Sequence, residues 1–217
     1  MPTSNVKQLS TIINLIMVIN PQKLLDIGVG FGKYGFLSRE YLEYYNNNND
    51  YKKWSREIDG IEIFEDYLTA VHKFIYNNIY IGNAADLLAK IEKEYDLILL
   101  IDVLEHFSYA QGLDVLNNCK RISKNIIISI PKDIGEQGEC FNNPNEKHEF
   151  QWRDSHLSTF KRFTIPNHES FICCISDEAE KFEKLLKKDR LNDFKINFKN
   201  SVKINFPFLH KLYKKIK

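Results

Sequence analysis

Apolar positions 6, 9, 12, 13, 16 and 19 recur at helical spacing, and Pro21 ends that pattern, so residues 6–19 are predicted as an opening helix. Short apolar or β-branched runs then follow at 24–27, 57–63, 79–81, 95–101, 125–130 and 170–176, each read as a strand. Helical patterns fill the gaps: from Gly32 to about Tyr45, 65–75, 84–93, 109–123, 154–162 and 178–188. Residues 46–50, four asparagines and an aspartate, read as loop, and so does the polar stretch 131–152. The run 95–101 is nearly all apolar, as a central parallel strand covered on both faces must be. Strand and helix patterns alternate at least five times, which predicts an α/β protein with a doubly wound, mostly parallel sheet and helices on both faces. Such sheets bind ligands at the carboxyl ends of their strands, so the residues just past each strand carry the chemistry.

Composition adds bounds. With 217 residues, 43% of them hydrophobic, the chain can bury one sizeable core. No apolar run approaches the ~20 residues of a membrane span. Residues 12–19 are interrupted by Asn14 and lack the basic start and small-residue cleavage site of a signal peptide, so a cytoplasmic protein is expected. The four cysteines form no C-x-x-C pair, which fits a reducing compartment. The net charge of +1 conceals an asymmetry: residues 195–217 hold seven lysines and no acid, so the rest of the chain sums to −6. A body of that sign argues against nucleic acid as a partner. Three parts are expected: an N-terminal helix (1–21), the α/β domain (22–176) and a helical, Lys-rich appendage (177–217). Phenylalanines, leucines and a tyrosine interleave with the terminal lysines, a composition open to peripheral membrane contact or to simple packing. The oligomeric state is not legible.

Past the first strand comes Asp26-Ile27-Gly28-Val29-Gly30-Phe31-Gly32, a glycine-rich turn that lets backbone approach a ligand. Its spacing differs from the dinucleotide pattern G-x-G-x-x-G and resembles the first motif of class I S-adenosylmethionine (SAM)-dependent methyltransferases. The turn's exposed amides are expected to take the carboxylate end of SAM, and Asp26 to orient the loop or attract the ammonium group. Glu62, past the second strand, can accept two ribose hydroxyls; it lies further from the turn than the usual ~20 residues, an excess explained by the asparagine insertion. Past the third strand a polar residue, Asn83 or Asp86, can reach an adenine edge, and Asn83 and Ala84 are expected to bind the cofactor. Past the fourth strand, Asp102, Glu105 and His106 can converge within one turn, near the reacting centre or as ligands of a divalent cation. In the loop past the fifth strand, His148 is a candidate base or ligand, and Trp152 either stacks on a sugar or base or pins the loop. His72, His156, His168 and His210 are read as surface or packing residues.

Together these strand ends resemble class I SAM-dependent methyltransferases over residues 22–176. More narrowly they resemble a small bacterial group found among genes for polysaccharide and glycan assembly, in Phe31-Gly32-Lys33-Tyr34-Gly35-Phe36-Leu37, Ile58-Asp59-Gly60-Ile61-Glu62-Ile63-Phe64, residues 75–82, Asp102-Val103-Leu104-Glu105-His106-Phe107, and the loop with Asn143-Pro144 and His148. The resemblance implies a seven-stranded Rossmann-like fold, SAM as cofactor, and O-methylation of a sugar or similar small polar acceptor. His106, His148 and Asp102 would then be catalytic. A looser resemblance to small-RNA 3′-terminal ribose 2′-O-methyltransferases implies Mg or Mn on Asp102, Glu105, His106 and His148. A non-catalytic SAM-binding partner of a glycan enzyme is the remaining alternative.

Overall fold

The protein is described here by a computed structural model that covers residues 3–44 and 53–205. The asparagine loop at 46–50 and residues 206–217 of the lysine-rich tail lie outside the described residues. A turn of 3-10 helix (Val6–Gln8) leads into α1 (Leu9–Ile19), which Asn20 closes in the left-handed conformation just before Pro21. Then follow β1 (Lys23–Ile27), α2 (Lys33–Arg39) continued by a π turn (Glu40–Tyr44), β2 (Glu57–Glu62), α3 (Ala70–Ile75), β3 (Asn78–Ile81) and α4 (Ala84–Leu88). The remainder comprises β4 (Leu97–Ile101), α5 (Tyr109–Ile122), β5 (Asn125–Pro131), β6 (Arg162–Ile165), β7 (Ser170–Ser176) and α6 (Ala179–Asn205).

The seven strands form one sheet in the order β3-β2-β1-β4-β5-β7-β6. All pairings up to β4–β5 are parallel, while β7 runs antiparallel between β5 and β6. Every residue of β4 is buried, which accounts for its unbroken apolar run. The strand order reverses between β1 and β4, and at such a switch point the loops diverge and open a crevice.

Several expectations change. Residues 154–162 do not form one helix: a single 3-10 turn (Asp154–Leu157) precedes β6. Arg162-Phe163-Thr164-Ile165 alternates exposed and buried positions on an edge strand, a pattern too short to stand out from its neighbours. The helix expected over 84–93 ends at Leu88, and 65–75 divides into a 3-10 turn (Glu65–Tyr67) and α3, which the Thr69 side chain caps. The last helix runs to Asn205, well past 188. Contacts divide the chain into a unit of residues 1–179, which holds the whole sheet, and a unit of residues 180–217. Among the described residues no helix is long and apolar enough to cross a membrane.

Candidate functional site

Two adjoining cavities lie at the carboxyl ends of β1, β2 and β4. The larger, of about 500 Å³, is lined by Asp26, Gly28, Gly30, Glu62, Asp102, Glu105, His106 and His148 among others. The smaller, of about 210 Å³, is lined by Gly28, Asn83 and Ala84 and shares Val103, His106 and Asn145 with the first. Gly32 lines neither; it caps α2.

The glycine turn is built for close approach. Gly28, Gly30 and Gly32 all have positive φ, and a Cβ on Gly28 would sit 2.6 Å from Val103 Cγ2. Most of the turn's amides, expected to face a ligand, are engaged within the protein, and Phe31 N–H is the one that donates to no protein oxygen. Gly28 and Val29 N–H donate to Ile61 O, Gly32 N–H donates to Val29 O, and Gly30 N–H donates to Glu62 Oε2 at 2.8 Å. The same carboxylate accepts Phe64 N–H on Oε1 at 3.0 Å, so Glu62 ties the turn together and still keeps lone pairs toward the cavity. His72, beyond its expected packing role, places Nε2 2.9 Å from Gly30 O and so braces the turn from the other side. Asp26 is buried under the turn and accepts the Tyr76 hydroxyl at 2.6 Å. Burial, helped by the nearby Glu62, pushes its carboxyl up to about 7, against the opposing pull of that hydrogen bond. Asn83 Oδ1 caps α4 by accepting Ala85 N–H, which leaves the amide NH₂ for the small cavity.

The turn after β4 brings the reactive groups together. Asp102 adopts φ 55°, a left-handed conformation that costs a non-glycine residue about 1–3 kcal/mol. Its Oδ2 accepts Gln8 Nε2 at 2.7 Å, so the 3-10 turn before α1 reaches into the site, a contact that no local signal in the sequence announces. Burial holds the Asp102 carboxyl above its ordinary range. Glu105 is fully buried and its Oε2 has no hydrogen-bond partner, so burial, with Asp102 nearby, raises its carboxyl well above the usual carboxylate range.

Four hydrogen bonds dock the 131–152 loop on residues 104–106, and a fifth, within the loop, fixes His148. Glu149 N–H and Phe150 N–H both donate to Glu105 O, at 2.7 and 3.2 Å. Trp152 Nε1 donates to Leu104 O at 2.9 Å. His106 Nδ1 faces Lys147 O at 3.0 Å, and His148 Nδ1 faces Ile134 O. Trp152 is only 1% exposed, so it pins the loop and has no face to offer a sugar or base. The docked loop sets the His106 and His148 rings 5.2 Å apart. Because a carbonyl only accepts, each Nδ1 carries a proton, and in the neutral ring Nε2 is then the nitrogen with the lone pair. Burial lowers the His106 imidazole, which keeps it neutral at pH 7. Single donor atoms of Glu105, His106 and His148 lie within 4.8 Å of one another. Asp102, expected among these ligands, is not in that group; Gln8 holds its side chain elsewhere.

No family model matches the chain, and no curated protein matches it. Solved structures do. The methyltransferase domain of bacterial CtHen1 aligns over 78% of this chain and 97% of its own, at 15% identity and a TM-score of 0.51. The N-terminal domain of EvdMO1, solved with S-adenosylhomocysteine (SAH) and D-fucose, aligns over 80% and 84%, at 14% identity and 0.53. Magnesium protoporphyrin IX methyltransferase from Synechocystis PCC 6803, with bound SAH, aligns over 78% and 82%, at 13% identity and 0.52. The chain has the Rossmann-like fold of SAM-dependent methyltransferases. At these identities the likeness is one of fold, and the site must carry any claim about activity. In this methyltransferase fold the switch-point crevice is where a ligand would lie, and here it holds five carboxyl side chains with two imidazoles.

Proposed function

We propose that the protein is a SAM-dependent methyltransferase that methylates a hydroxyl of a sugar, glycan or similar small polar acceptor. The observation that carries this reading is the pair of imidazoles, His106 and His148, each fixed by a backbone carbonyl with Nε2 left free at the strand-end cavity. SAM supplies an already activated methyl on a sulfonium. The protein's task is to hold the acceptor in line and remove its proton.

Residues of the site fit such a cofactor. Asn83 and Ala84 would border the adenine, Glu62 the ribose hydroxyls, and Asp26 with Asp102 the cationic end. A divalent cation fits as well: Glu105 Oε2 is a buried acceptor with no partner, and both histidines have the second-nitrogen-to-carbonyl bond that fixes an imidazole for metal ligation. Glu105, His106 and His148 would hold it, and it would lower the acidity barrier of the acceptor hydroxyl. An imidazole nitrogen that binds metal cannot also take the proton, so the two roles exclude each other at each ring.

His106→Ala and His148→Ala are each expected to lower turnover by at least ~100-fold while SAH binding stays within a few-fold of wild type. Loss of SAH binding in both variants would overturn these roles. Activity unchanged by EDTA and by added Mg²⁺ or Mn²⁺ would rule out the cation. The negative body supports a small or glycan acceptor over RNA.

A further inference from the structure

We infer that Lys33, together with Ser4, recognises the carboxylate of the cofactor's methionyl end, a task for which the glycine turn itself keeps only the Phe31 N–H free. This rests on the SAM reading above. The carboxylate needs donors, and four of the turn's five N–H groups, at 28, 29, 30 and 32, already donate to protein oxygens, which leaves Phe31 N–H alone. Among the side chains that line the large cavity, Lys33 is the one ammonium, against five carboxyl groups: Asp26, Glu62, Asp102, Glu105 and Glu146.

That distribution matches the charges of SAM. The sulfonium and the ammonium suit a carboxyl-rich wall, and the single carboxylate suits the single cation. Lys33 Nζ is half-buried and held from one side, by Ser4 O at 2.6 Å and Ser4 Oγ at 3.1 Å. Both partners are neutral, so two of its three N–H donors are engaged and one remains, with its charge uncompensated by contact. Ser4 Oγ lies at the same place with a hydroxyl able to turn outward. Asp102 is close enough to act on Lys33 electrostatically, which positions the two opposite charges for the two ends of an amino-acid zwitterion. The segment from Thr3 to Asn5 lines the cavity, so a carboxylate bound here also fastens this N-terminal strap over the cofactor.

Calorimetric titration of SAH and of 5′-methylthioadenosine, which lacks the amino-acid end, tests the inference. Lys33→Met is expected to weaken SAH at least about tenfold, the scale of one hydrogen bond to a charged group, and to leave methylthioadenosine within twofold. Lys33→Arg is expected to restore most of the SAH affinity. Equal weakening of both ligands in Lys33→Met would mean that the lysine only props the loop, and would overturn the inference. So would a wild-type protein that binds the two ligands equally well. A wild-type protein that binds neither would instead overturn the SAM reading itself.

Discussion

Asp26 and Gly28 show how single side chains set the properties of this cleft. Asp26 titrates near 7 in the fold and near 3.8 in an unfolded chain, so the folded protein holds the extra proton between those values. Its raised value makes the ligand-free protein lose stability as pH climbs from about 4 to 7. Asp26→Asn, which can still accept the Tyr76 hydroxyl, is expected to flatten that slope and to melt higher than wild type at pH 8. Thermal melts of the free protein at pH 5, 6, 7 and 8 check this, and parallel slopes in the two proteins would refute it. Gly28→Ala meets both a positive φ and a methyl 2.6 Å away, and is expected to cost about 1–3 kcal/mol in urea unfolding. Val103→Ala removes that methyl and should recover part of the loss. The glycines and Glu62 are legible in the sequence because backbone geometry and strand-end position restrict the residue types. The hydrogen bonds of the turn are not: only the fold shows that Glu62 accepts Gly30 N–H and that Ile61 O accepts two of the amides.

At the scale of elements, the loop after β5 decides whether a site exists. It carries His148 to His106 because its backbone docks on Glu105 O and because Trp152 anchors its far end. The anchor has a prepared seat: a Cβ at Gly112 of α5 would lie 2.2 Å from Trp152 Cζ2. Trp152→Phe deletes the bond to Leu104 O while keeping most of the ring, and is expected to lower kcat through misplacement of His148, with SAH affinity nearly unchanged. Steady-state kinetics alongside SAH titration measures that split, and an unaltered kcat would show that the anchor does not position the histidine. Strand and helix positions were readable where apolar runs are long, as in β4 and β5. The edge strand β6 and the broken helices around 65–75 and 154–162 were not, because short segments take their form from neighbours and caps more than from periodicity. Gln8 is the plainest case of a site contact without a local signal, since its partner Asp102 lies 94 positions away.

The molecule as a whole is a seven-stranded sheet whose switch point opens onto carboxyls, imidazoles and one lysine, followed by a separate lysine-rich unit. Charge is uneven along the sequence: the terminal 23 residues carry +7 and the rest −6. We propose peripheral contact of this basic end with anionic membranes, a placement that would suit a lipid-linked glycan acceptor. The full chain is then expected to sediment with phosphatidylglycerol vesicles and a chain ending at Asp193 to stay in solution; equal partitioning of both would exclude the contact. The cleft is decided by a crystal structure of the wild-type protein grown with SAH. The adenine is expected beside Asn83 and Ala84, the ribose hydroxyls on Glu62, and the sulfur facing the side where His106 and His148 present Nε2. Crystals from saturating SAH in which this cleft holds only water, or in which SAH lies elsewhere on the molecule, would contradict it.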